Sequence, residues 1–129
     1  MSHPTYKLLL ADDSPLNREM TCKLLRKKGH RVTAVEDGVA AWEAYQKENF
    51  DAILLDIEMP EMDGLQTCRK IREHESGSAK LIPIIALTGC TDPDDRKAHS
   101  EAGMNGTLAK PIDIKTINRS LQEYIEVVS

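Results

Sequence analysis

The sequence predicts an α/β domain built on a doubly wound, five-stranded parallel sheet with helices on both faces. Short apolar runs alternate five times with longer amphipathic stretches, and strands joined through helices in the right-handed sense lie parallel. Three of the runs, Lys7 to Ala11, Ala52 to Asp56 and Pro83 to Thr88, are near-continuous Leu, Ile and Ala. A strand covered on both faces has this composition, so these three are expected at the centre of the sheet. With 129 residues the chain has the size of one domain around a single core.

The elements follow in order. Strand one, Lys7 to Ala11, leads into a helix capped by Ser14 with Pro15 in its first turn; Leu16, Met20 and Leu24 recur every four residues until Gly29 stops it. Strand two is Arg31 to Val35. Helix two runs from about Gly38 to Lys47 with Val39, Trp42 and Tyr45 or Gln46 on one side. After strand three, Leu65, Cys68 and Ile71 or Arg72 mark a less regular third helix, and Glu73 to Lys80 reads as an exposed loop. Beyond strand four, helix four opens at Asp92-Pro93, carries Ala98 and Ala102 inward and closes at Gly103. Strand five is Gly106 to Ala109. Asp113 is placed to cap helix five, where Ile117, Leu121, Tyr124 or Ile125 and Val128 align.

Composition removes several classes of function. Seventeen basic against twenty-one acidic residues leave a net charge of −4, which opposes a main role in coating nucleic acid or anionic lipid. The longest apolar stretch, Leu81 to Leu87, contains Pro83 and is far short of the ~20 residues that cross a bilayer. No apolar run follows Met1 to serve as a signal peptide, and Cys22, Cys68 and Cys90 are scattered and odd in number, so a reducing cytoplasm is the expected setting. The cysteines have no metal-ligand spacing and read as small buried or half-buried thiols. His3, His30, His74 and His99 are expected at the surface, Trp42 as an anchor between helix and sheet, and Arg26 to Lys28 as charge favoured by a helix C-terminus. No Gly-x-x-x-x-Gly-Lys-Ser/Thr loop is present, which argues against nucleotide hydrolysis.

In an open parallel sheet the ligand site lies beyond the carboxyl ends of the strands. At those ends stand Asp12-Asp13, Asp56, Thr88-Gly89 and Lys110-Pro111. Three converging carboxylates repel unless a cation compensates, and an all-oxygen ligand set favours Mg²⁺ over Zn²⁺. A carboxylate beside such an ion can attack phosphorus to give an aspartyl phosphate, with an ammonium and a hydroxyl stabilising the transferring group.

Four segments, Leu8 to Asp13 (LLLADD), Ile53 to Gly64 (ILLDIEMPEMDG), Pro83 to Gly89 (PIIALTG) and Leu108 to Pro111 (LAKP), together resemble the receiver domain of two-component response regulators. The resemblance covers the whole chain, 1–129, as one receiver domain. Asn17 after Ser14-Pro15, the Ala-Leu-Thr-Gly stretch and Glu101 to Met104 are most similar to receivers of hybrid sensor histidine kinases. It implies a flavodoxin-like (βα)5 fold with strand order 2-1-3-4-5. It also implies that Asp56 is the phosphoacceptor, that Asp13, Asp56 and the Glu58 backbone carbonyl bind Mg²⁺ with Asp12 acting through metal-bound water, and that Thr88 and Lys110 contact the phosphoryl group. Lys110-Pro111 resembles the family's cis peptide. The implied partner is a histidine kinase or a histidine-containing phosphotransfer domain, with no nucleic acid or membrane contact and a monomeric chain. No output domain is expected within this chain, which reads as a stand-alone receiver or as one belonging to a hybrid kinase.

One departure bears on mechanism: where many members carry Tyr or Phe, three residues before the lysine, this chain has Thr107. Two other readings compete. A haloacid-dehalogenase type phosphatase also phosphorylates an aspartate at a strand end but resembles Asp-x-Asp there, whereas this chain has Asp56-Ile57-Glu58 and no room for a cap domain. A pseudo-receiver acting only in binding is opposed by the full set Asp12, Asp13, Asp56, Thr88 and Lys110.

Overall fold

The computed structural model describes residues 5–59, 62–75, 81–89, 92–110, 112 and 117–128. Five strands, β1 (Lys7–Ala11), β2 (Arg31–Val35), β3 (Ala52–Asp56), β4 (Ile84–Thr88) and β5 (Gly106–Ala109), form one sheet in the order β2-β1-β3-β4-β5. Every pairing is parallel. Five helices, α1 (Pro15–Lys27), α2 (Gly38–Lys47), α3 (Gly64–His74), α4 (Pro93–Glu101) and α5 (Ile117–Val128), alternate with the strands. Strand four begins one residue later than the sequence suggests. Pro83 lacks an N–H for the ladder, although its carbonyl accepts from the Ile53 N–H at 2.9 Å.

The three expected central strands are central, and the period-two alternation of side chains divides them between two cores. Leu8, Leu10, Leu54, Ile85 and Leu87 pack under Cys22 and Leu25 of α1 and Ile117, Leu121 and Ile125 of α5. Leu9, Ala11, Ile53, Leu55, Ile84 and Ala86 pack under Ala41 of α2 and Cys68 and Ile71 of α3. Edge strands β2 and β5 are only partly buried.

Helix ends follow the local chemistry. Ser14, Asp37, Asp63 and Asp92 each accept a backbone N–H of the first turn, and Asp63 with Gln66 forms a reciprocal capping box. Gly29 takes φ +93° just beyond α1, a conformation that favours glycine. Asp113, Pro111 and Cys90 lie outside the described residues.

Several expectations about burial need correction. The spacing of Leu16, Met20 and Leu24 does not mark the inner face of α1: Leu16 is 67% and Met20 51% exposed, and the buried residues are Thr21, Cys22 and Leu25. The helix lies on the sheet along a stripe one position away, because threonine and cysteine are small enough to face it closely. Trp42, expected as an anchor between helix and sheet, does pack partly buried against the core under α2 and α3, and its ring also meets His74 edge-on at 5.6 Å with the Lys70 ammonium 5.2 Å above it. His30 and His99 are buried, not at the surface. His30 Nδ1 accepts from the Tyr6 N–H at 3.0 Å while Nε2 lies 2.6 Å from Asn118 Oδ1, so both ring nitrogens have partners. Glu75, expected in an exposed loop, is buried beside Arg72.

Candidate functional site

The carboxyl ends of β1, β3 and β4 lie side by side, with that of β5 next to β4. Asp12 follows the last residue of β1, and its N–H donates to Val35 O at 3.1 Å. Its carboxylate is almost wholly buried; Oδ1 accepts from the Ser14 N–H at 3.0 Å, and Oδ2 has no hydrogen-bond partner among the described residues. Asp56 ends β3 and is also buried, with Oδ1 accepting from the Glu58 N–H at 3.2 Å. Thr88, buried, ends β4, and its carbonyl accepts the Lys110 N–H at 2.9 Å. That backbone bond delivers the Lys110 ammonium to the acids, 3.0 Å from Asp56 Oδ2 and 3.6 Å from Asp12 Oδ2. Asp13 is exposed, yet one carboxylate oxygen each from Asp12, Asp13 and Asp56 falls within a 4.8 Å span.

Asp12, Asp13, Asp56 and Lys110 thus meet in space as well as in the sequence pattern, with Thr88 at the adjoining strand end. Glycines make the approach possible. A Cβ on Gly64 would strike the backbone of Asp56 and Ile57, and one on Gly38 would strike the Met62 carbonyl.

Electrostatically the site is unbalanced. Burial pushes the Asp56 carboxyl up from its ordinary 3.8 to about 6, opposed by the hydrogen bond and charge of Lys110 and by the Glu58 N–H, and reinforced by the Asp12 charge. Three carboxylates face one ammonium, and a buried oxygen lacks a donor. Unpaired buried carboxylate oxygens are costly unless something positive reaches them, so the donor set fits a hard divalent cation. No zinc-type nitrogen or sulfur ligand is in the group.

Sequence reasoning missed Arg18. Its Nη1 donates to the Asp12 carbonyl at 2.8 Å. Its place one turn beyond the Ser14 cap is a weak signal, because an arginine there ordinarily points to solvent.

Fold and site together define a flavodoxin-like domain with a group of carboxylates that could hold a metal ion at the point where strand order reverses. The chain belongs to the response regulator receiver domain family, which it matches over residues 8–122. It is 39% identical over 117 residues to sensor histidine kinase AruS of Pseudomonas aeruginosa, covering 91% of this chain. It is 35% identical over 129 residues to hybrid signal transduction histidine kinase I of Dictyostelium discoideum, covering 93% of this chain. The chain spans only 12% and 7% of those two relatives. Among solved structures it resembles the receiver domain of sensor histidine kinase PA1611 from Pseudomonas aeruginosa, which holds a magnesium ion in its active-site cleft. The TM-score is 0.84 at 39% identity, over 95% of this chain and 99% of that one.

Proposed function

We propose that this receiver accepts a phosphoryl group on Asp56 from a phosphohistidine of a histidine kinase or histidine-containing phosphotransfer domain. The observation that carries the reading is the Lys110 ammonium seated 3.0 Å from Asp56 Oδ2 and 3.6 Å from Asp12 Oδ2, an oxygen that accepts no hydrogen bond among the described residues. An Asp56 oxygen attacks phosphorus; the donor's N–P bond breaks with its electron pair leaving on the imidazole, which takes a proton from solvent. Lys110 and the Thr88 hydroxyl supply positive charge and a donor to the phosphoryl oxygens. Attack of water on phosphorus later releases phosphate and restores the carboxylate. Asp13, Asp56 and the Glu58 carbonyl would hold Mg²⁺ directly and Asp12 through water; the bound ion would offset the charge that gathers as phosphorus approaches Asp56. The chain catalyses only its own phosphorylation and dephosphorylation, consistent with a receiver domain.

The whole chain acts as one domain, cytoplasmic and monomeric, without nucleic acid. No helix among the described residues is long and apolar enough to cross a membrane. Thr107 has no ring to turn inward. His99 of α4 packs there, its Nδ1 3.4 Å from Thr107 Oγ1, and a groove of about 290 Å³ opens between His99, Thr107 and Tyr124. Phosphorylation should therefore leave the chain monomeric, with changes concentrated in the loops after β3 and β4. A tight dimer in sedimentation with beryllofluoride would contradict this.

Incubation with acetyl phosphate and Mg²⁺ tests the central reading: mass spectrometry should find one phosphoryl group on Asp56. Turnover of free phosphomonoesters would instead mark a phosphatase, and no modification a pseudo-receiver.

A further inference from the structure

The backbone of Asp12 is held on both sides. Its N–H is bound to Val35 of β2, and its carbonyl accepts from Arg18 Nη1 at 2.8 Å. That carbonyl belongs to the peptide joining Asp12 to Asp13, and because a peptide is planar, fixing its oxygen fixes the plane from which Asp13 departs. The Asp13 side chain is exposed, and its carboxylate accepts no hydrogen bond among the described residues. Its approach to Asp12 and Asp56 therefore depends on the backbone beneath it. Arg18 is well placed to set that backbone, since its own N–H is bound to Ser14 O at 2.9 Å in the opening turns of α1. Its guanidinium is planar and loses little further freedom in forming the bond.

We infer that Arg18 is a positioning residue for the cation site: it holds the Asp12–Asp13 peptide so that both carboxylates converge with Asp56. This rests on the Mg²⁺ reading above. The role carries a sign that separates it from simple electrostatics. Removing a cation beside a Mg²⁺ site should tighten Mg²⁺ binding if charge alone matters. Removing a positioning group should weaken it, as loss of outer partners of metal ligands does, by roughly tenfold.

The molecule contains its own control. Arg26, further along the same helix, makes the same kind of bond from Nη2 to the Val32 carbonyl at 3.0 Å, away from the acids. Calorimetric titration of Mg²⁺ into wild type, Arg18→Gln, Arg18→Lys and Arg26→Gln at neutral pH tests the inference, with folding checked by circular dichroism. Arg18→Gln should bind Mg²⁺ roughly tenfold more weakly. Arg18→Lys, which keeps the charge without the planar fork, should also bind more weakly, and Arg26→Gln should match wild type. If one Arg18 variant fails to fold, the other carries the test. Wild-type or tighter affinity in the Arg18 variants overturns the inference, as does equal weakening in Arg26→Gln. Absence of Mg²⁺ binding by wild type overturns the metal reading itself, and the role of Arg18 with it.

Discussion

Two polar clusters with buried carboxylates sit at opposite ends of the sheet, Glu75 at one and Asp12 with Asp56 at the other, and they differ in how many donors reach the acids. At the amino end, Glu75 Oε1 accepts from Arg72 Nη1 at 2.6 Å and Oε2 from the Ile82 N–H at 2.6 Å. Arg72 is itself held at all three nitrogens: besides the Nη1 bond, Nε donates to Gly103 O at 2.9 Å and Nη2 to Asn105 Oδ1 at 2.7 Å, an oxygen that also takes the Ile84 N–H. At the carboxyl end, Asp12 and Asp56 share one ammonium, which lies 3.6 Å from Asp12 Oδ2, and that oxygen accepts no hydrogen bond among the described residues. Both clusters bury carboxylates, so burial alone does not mark function. The two differ in their donors: the satisfied cluster ties α3 to the starts of β4 and β5, whereas the other gathers three carboxylates that could hold a metal ion, with fewer donors to meet them.

Substitutions can break this contrast. The largest effect is expected from Asp56→Asn, which keeps the shape but removes the nucleophilic charge. Phosphorylation by acetyl phosphate should vanish by mass spectrometry while circular dichroism stays that of wild type; an equally modified variant would move the acceptor elsewhere. At the other end, Arg72→Met strands Glu75 with a single donor and should cost about 3 kcal/mol in urea denaturation. Phosphorylation below the unfolding transition should be unaffected. A small stability loss there would erase the distinction between the two clusters. Asp13→Asn should weaken Mg²⁺ by roughly tenfold in a calorimetric titration, with little change in the stability of the metal-free chain. Unchanged affinity would remove Asp13 from the site.

The smallest effect is a pH dependence. Because the Asp56 carboxyl is raised from 3.8 to about 6, that group binds more protons in the folded metal-free chain than in the unfolded chain between those values. Its contribution to stability should therefore be lost as pH rises from about 4 to 6. Asp56→Asn should flatten that part of the profile relative to wild type in parallel thermal melts; an identical slope would assign it to another group.

Much of the fold was legible because it rests on local chemistry. The apolar runs of β1, β3 and β4, the caps Ser14 and Asp92, and the stops at Gly29 and Gly103 are short-range signals, and the structure has each of them. The acids and the lysine were legible for a related reason: each sits directly at a strand end, and a parallel sheet aligns those ends. What could not be read was which face of a helix turns inward. Leu16 and Met20 have the right spacing but the wrong orientation. A helix rolls to fit its neighbours, and an apolar residue stays in water when a smaller one fits the interface better.

By itself the sequence determined the element order, the parallel sheet and the group of residues at its carboxyl edge, because strand and helix periods and turn residues act over a few positions. Only the tertiary structure decided how partners are shared among distant residues. It gave Glu75 two donors, left Asp12 Oδ2 without a hydrogen bond among the described residues, buried His30 between Tyr6 and Asn118, and set Arg18 on the Asp12 carbonyl. Hydrogen bonds of this kind join segments far apart in the chain or on different elements. Their geometry depends on the packing of whole layers, which no local pattern encodes.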